Sequence, residues 1–159
     1  MQIAPDPLTS PEIAAFLQAH LDQMHETSPA ESVHALDLSG LRAPGVRFWS
    51  AYDGGELVGC AALKRLDDEH AELKSMRTAP HRTRQGIASR LLAFVLDEAG
   101  RAGFDRVSLE TGTQEFFAPA RELYARHGFV ACPPFGDYRP DPNSTFMTRS
   151  VSRSLPATT

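Results

Sequence analysis

The stretch from Ala71 to Arg101 constrains this chain more than any other. Ala71 to Thr78 reads as a strand, and Pro80 ends it. Gly86 then opens the strongest helical pattern in the sequence. Ile87, Leu91, Leu92, Val95, Leu96 and Ala99 fall on one face, and Gly100 and Gly103 supply a stop. The turn between the two elements carries Arg82, Arg84 and Gln85. A helix N-terminus leaves backbone N–H groups unsatisfied and carries the positive end of the helix dipole. Gly86 lets an anion approach that backbone, and Ala88 is small enough for close packing against a ligand. These features point to a phosphate site over Arg84 to Ser89. The competing reading is an ordinary basic turn in front of a helix.

The flanking segments complete a layered α/β pattern. Ser10-Pro11-Glu12 is a helix start, followed by Ile13, Phe16, Leu17, Leu21 and Met24 on one face. A short second helix is expected near Glu31 to Leu36. Val46, Phe48, Ser50 and Tyr52 alternate with Arg47, Trp49 and Ala51, and Asp53-Gly54-Gly55 is hairpin-turn chemistry. Leu57 to Leu63 is almost continuously apolar, as a central strand is. Phe104 to Thr111 predicts a strand, Phe116 to His127 a helix, Phe129 to Cys132 a strand and Thr145 to Val151 a last strand. Pro133 to Pro142 reads as a loop. This order predicts an α/β sandwich around a mixed sheet. A length of 159 residues suits one domain, expected over residues 1–151, with 152–159 as a flexible tail.

Charge and motif content exclude several classes. The net charge of -4 argues against a nucleic-acid partner, which would need a basic face. No apolar run approaches the roughly 18 residues of a membrane span, and Met1 to Pro7 has neither the basic start nor the apolar core of a signal peptide. The expectation is a cytoplasmic protein that meets no membrane. Cys60 and Cys132 sit in apolar runs and read as buried thiols; no spacing of Cys or His predicts a metal site. Gly-Lys-Ser/Thr and Gly-x-Gly-x-x-Gly are both absent, so neither common nucleotide-phosphate loop is present.

Two motifs narrow the reading. The turn carries Thr83-Arg84-Gln85-Gly86-Ile87-Ala88, and the next helix and strand carry Leu123-Tyr124-Ala-Arg-His-Gly128-Phe129. Taken in this order, they resemble the GNAT family of acyl-CoA N-acyltransferases. The resemblance implies a GNAT fold, with a mixed, mostly antiparallel central sheet flanked by helices. It also implies acetyl-CoA as co-substrate, no metal, and transfer to a primary amine of a small molecule or peptide by direct attack in a ternary complex. A homodimer is compatible with the exposed strand edges of this fold. A non-catalytic acyl-CoA-binding or protein-interaction module is the alternative.

Site residues carry over position by position. Arg84, Gln85, Gly86, Ile87, Ala88 and Ser89 would hold the pyrophosphate. Thr83 stands where the family has Gln or Arg, which moves the expected binding onto backbone N–H groups. Met76, Arg77 and Thr78 would meet the pantetheine and the acyl carbonyl through their backbone. Phe117 replaces an asparagine that often contacts that arm. Glu72 is the expected general base, on a strand face shared with Lys74 and Met76; the alternative is a carboxylate simply paired with Lys74. Glu110 is the other candidate base. Tyr124 would protonate the leaving thiolate, against the alternative of a core tyrosine. Trp49, Glu110, Tyr138 and Asn143 are the candidate acceptor contacts.

Overall fold

The computed structural model describes residues 1–29 and 37–152. Its seven strands are β1 (Gln2–Pro5), β2 (Val46–Asp53), β3 (Glu56–Arg65), β4 (His70–Thr78), β5 (Arg106–Gly112), β6 (Val130–Ala131) and β7 (Ser144–Ser150). The helices are α1 (Pro11–Thr27), α2 (Leu38–Leu41), α3 (Ile87–Arg101) and α4 (Ala118–Arg126). The strands form one sheet in the order β1-β2-β3-β4-β5-β7-β6, antiparallel except between β4 and β5. This is the mixed, mostly antiparallel α/β sheet that the sequence predicts.

Local chemistry explains most boundaries. Ser10 caps α1 by accepting from the Ile13 N–H, and Pro11 occupies the first turn, where its missing N–H costs nothing. Gly54 and Gly55 both adopt positive φ in the β2–β3 turn, as a two-residue hairpin requires. Three features depart from the sequence reading. β1 was not expected; it is four residues long and pairs only at the sheet edge, from Gln2↔Tyr52 to Pro5↔Trp49. Phe116 and Phe117 lie in a 3-10 turn (Glu115–Phe117), so α4 begins at Ala118, with Pro119 in its first turn. α2 was not expected; the helix expected near Glu31 to Leu36 lies outside the described residues.

The sheet is covered on both faces. On one, α3 and α4 bury Trp49, Val58, Leu63, Leu91, Leu92, Val95, Val107, Leu109, Leu123 and Phe129. On the other, α1 and α2 bury Ile13, Leu17, Leu41, Phe48, Leu57, Cys60 and Ala62. β3 faces both layers, which is why it reads as a continuous apolar run.

Two irregularities shape the middle of the sheet. β4 and β5 pair only from His70↔Arg106 to Glu72↔Ser108 and then separate. Against β3, Ser75 and Met76 together oppose the single residue Ala61, and Ser75 adopts φ 53. This bulge reverses the strand's alternation. Ala71, Leu73 and Met76 face the α3 core, while Arg77 reaches α1. Met76 therefore does not share a face with Glu72, contrary to the sequence expectation of simple alternation.

Leu91 is fully buried at the centre of the α3 layer, beside Gly59, where an added Cβ would lie 2.7 Å from Leu91 Cδ1. Leu91→Ala is expected to lower unfolding free energy by about 2–5 kcal/mol in urea titration. Gly59→Ala is expected to cost about 1–3 kcal/mol by overpacking the same contact.

Candidate functional site

The separation of β4 from β5 opens a cleft of about 590 Å³ through the middle of the sheet. It is lined by the C-terminal half of β4, the start of α3, β5, α4, the C-terminal part of α1 and Tyr138 from the proline-rich loop. Residues from both faces of the sheet therefore meet in one space.

At one end lies the turn into α3. Arg84 and Gly86 adopt positive φ of 63 and 80, and no side chain caps the helix. The first N–H groups of α3 are thus left without a side-chain acceptor, next to open space where a Cβ on Gly86 would meet nothing within 4 Å. Arg84 is exposed and lines the cleft. The turn is braced from outside. Arg82 binds Asp53, donates to Glu56 Oε1 at 2.6 Å and to Gln85 Oε1 at 2.8 Å, and His81 meets Glu56 at 2.5 Å. Gln85 was expected to contact a ligand, but its side chain is engaged by Arg82, and it does not line the cleft. Ser89 Oγ lies 2.7 Å from His127 Nε2, which ties the start of α3 to the end of α4.

At the apex, where the strands part, Glu72 is 3% exposed. Its Oε2 accepts from Tyr138 Oη at 2.5 Å and from Lys74 Nζ at 3.2 Å, and Lys74 also donates to the Tyr138 oxygen at 3.1 Å. The expected Glu72–Lys74 pair is present, but buried rather than at the surface, and it includes Tyr138. Burial and the Glu72 charge push the Tyr138 phenol far above its usual range. The ring packs on Phe135 and Phe146 at 5.2 and 5.4 Å, so the proline-rich loop is held over the apex by aromatic contacts.

On the other face, Tyr124 lines the cleft at 7% exposure and packs edge-on against Phe129. Burial, with a smaller contribution from Glu110, raises its pKa well above that of a free phenol. Glu110 lines the same cleft, and its charge also raises the pKa of Tyr138. Asn143 lines the cleft and accepts from Gln114 Nε2 at 3.0 Å, fastening the loop to the end of β5. Gly112 at that end is pressed against Phe117; a Cβ there would lie 2.2 Å from the ring.

Two sequence expectations need revision. Trp49 is no acceptor contact: it is 3% exposed in the α3 core, edge-on to Phe94 at 5.8 Å, and lies outside the cleft lining. Its place on β2, two strands from the opening, separates it from the site. Arg77 was expected to act through its backbone, yet its side chain is built into the cleft wall. Nη1 donates to Gln23 Oε1 at 2.7 Å and to His20 Nδ1 at 3.0 Å, with the guanidinium over Phe16. His20 and Gln23 were missed because their helical spacing looks like an ordinary solvated face of α1. Since Arg77 only donates, His20 Nδ1 must accept, and the ring is neutral. Burial first, then the Arg77 charge, lower its pKa to about 4.

Known proteins resemble this chain over nearly its whole length. Residues 13–129 match the model of the Acetyltransferase (GNAT) family. The chain is 48% identical to the uncharacterized N-acetyltransferase YsnE of Bacillus subtilis, over 95% of this chain and 100% of that protein. It is 50% identical to the uncharacterized N-acetyltransferase YedL of Escherichia coli, over 94% of each. Its fold matches N-acetylglutamate synthase from Neisseria gonorrhoeae, complexed with coenzyme A and N-acetyl-glutamate. That match has a TM-score of 0.72 at 21% identity and covers 96% of this chain and 36% of that one.

The half-buried His20 gives the cleft wall a pH signature. Its pKa is lowered from 6.5 to about 4 in the folded chain, so the unfolded state binds the extra proton between those values. Its contribution to stability is complete above pH 6.5 and is lost as pH falls towards 4, by about 2–3 kcal/mol. Urea unfolding at pH 7 and pH 4.5 is expected to show this loss, and His20→Gln to reduce it.

Proposed function

The chain belongs to the Acetyltransferase (GNAT) family, and on that premise we propose that its cleft transfers an acetyl group from acetyl-CoA to a primary amine of a small molecule or peptide. The observation that carries the reading is the passage through the sheet. It joins an uncapped helix N-terminus at one end to Glu72, Glu110 and Tyr124 further in.

Acetyl-CoA, when bound, supplies the acetyl thioester. The fit is supported by the free N–H groups and positive φ values at Arg84 and Gly86, the geometry an anionic pyrophosphate requires. Gly86, Ile87, Ala88 and Ser89 would bind it through backbone N–H groups, and Arg84 would add charge. Gln85 would serve by bracing Arg82. The unpaired edge of β4 beyond Glu72 offers the backbone of Met76, Arg77 and Thr78 to the pantetheine arm.

Glu72 receives the proton of the incoming amine. It sits at the apex of the cleft, with Lys74 and Tyr138 fixing its orientation. The nitrogen lone pair forms the new C–N bond, the C–S bond breaks, and the sulfur takes up negative charge. Tyr124 faces that charge. Its raised pKa keeps the phenolic proton in place at physiological pH, so the hydroxyl remains available as a donor to the departing sulfur. Glu110 and Asn143 line the remaining space and would meet the acceptor.

Calorimetry with acetyl-CoA is expected to show binding; no binding at millimolar concentration would refute the assignment. Binding without transfer to any amine would indicate a non-catalytic module. Tyr124→Phe is expected to lower kcat by about 10- to 100-fold while sparing acetyl-CoA affinity. Glu72→Gln should lower kcat by about 10²–10⁴-fold. A larger loss in Glu110→Gln would transfer the role of base to Glu110.

A further inference from the structure

Arg77 is a buried cation whose charge no group among the described residues balances. It is 8% exposed, and among the described residues no carboxylate pairs with it. Both hydrogens of Nη1 are committed to Gln23 and His20 on α1. Nε is buried without any acceptor, and Nη2 has no protein acceptor among the described residues. The edge left without a protein acceptor is thus Nε with Nη2, the pair of donors that can hold a carboxylate in two parallel hydrogen bonds once a ligand displaces what closes off Nε.

Leaving a guanidinium desolvated and unpaired is costly, because the lost hydration is not returned by a counter-charge. Desolvation already pulls the Arg77 pKa downward. The surrounding groups hold the side chain in place without neutralising it. His20 is neutral, Gln23 is an amide, and Phe16 offers only a ring face. The missing anion therefore has to come from whatever fills the cleft. It is not expected to be the phosphate of the donor. The turn at Arg84 to Ser89 leads into α3 on the opposite face of the sheet, whereas the bulge at Ser75 and Met76 turns Arg77 towards α1. That is the face occupied by the Glu72–Lys74–Tyr138 cluster, where an amine would be deprotonated.

We propose that Arg77 is a specificity-determining residue that binds the carboxylate of the acceptor, so that the acceptor is an amino acid or a closely related amino-carboxylate. This rests on the transferase reading above. Glu72 and Glu110 attract the ammonium group at one end of such a molecule, and Arg77 orients the acid at the other. An amine without the acid leaves Arg77 unpaired, as it is in the free protein, and gains none of the stabilisation that a carboxylate would add.

The test measures acetyl-CoA-dependent release of free thiol with a panel of L-amino acids. Each is paired with its own α-amide and its decarboxylated amine. The wild-type protein is expected to favour the acid member of at least one set by about 10- to 100-fold in kcat/KM. Arg77→Met should erase that ratio mainly through KM, and Arg77→Lys should restore part of it. Unfolding midpoints show whether either variant is folded; if neither is, the wild-type ratios decide alone. Efficient acetylation of amides and amines, with ratios near one throughout, would overturn the Arg77 assignment and leave the transferase intact. Acetyl-CoA binding with no member acetylated would also overturn it. Failure to bind acetyl-CoA would instead refute the underlying reading.

Discussion

The site depends on the parting of two parallel strands. β4 and β5 share only three residue pairs before they diverge at Glu72 and Ser108. Beyond that point β4 has an unpaired edge, and a buried strand edge without partners is tolerated only where something else can satisfy it. Neighbouring elements do not close the gap. α3 is anchored against β3 and β4 by Leu91 and Leu92, and β5 is held from its other side by β7 along its whole length. The opening is thus fixed by packing on both sides, and what fills it must offer both hydrogen-bonding groups and length.

Much of this was legible in the sequence. The apolar periodicity of α3, the glycine before it and the hairpin at Asp53-Gly54-Gly55 each report a local requirement, and local requirements leave local traces. The two motifs placed Tyr124 and the turn at Gly86 in one site, and both line the cleft. β1 left no trace, because an edge strand of four residues needs little apolar content. Trp49 was misjudged because a large aromatic residue on a strand looks the same facing a ligand or facing Phe94.

The bulge in β4 was the least legible feature and has the widest consequence. Simple alternation puts Glu72, Lys74 and Met76 on one face and leaves Arg77 on the other. The extra residue at Ser75 exchanges Met76 and Arg77, sending the methionine to the α3 core and the arginine to α1. Nothing in the composition of Ser75 demands it; the positive φ there is sustained by its surroundings, including the Cys60 thiol, which donates to the Ser75 carbonyl at 3.2 Å. Long-range pairing sets the register, and periodicity within one segment cannot report it.

The two faces of the sheet end up with different chemistry because of these two irregularities together. On the α3 face the charge is handled by backbone: helix N–H groups, left-handed turn residues and a glycine. Such a site suits a ligand whose charge is diffuse and whose contacts repeat from one acyl donor to the next. On the α1 face the charge is carried by side chains, Glu72, Lys74 and Arg77, each in a fixed and buried position. Buried side-chain charges discriminate strongly, since a ligand that fails to match them leaves them unpaired. On the proposed reading, the turn serves the donor through backbone groups while a few side chains select the acceptor. Of those residues, Arg77 is the one whose orientation depends on the bulge.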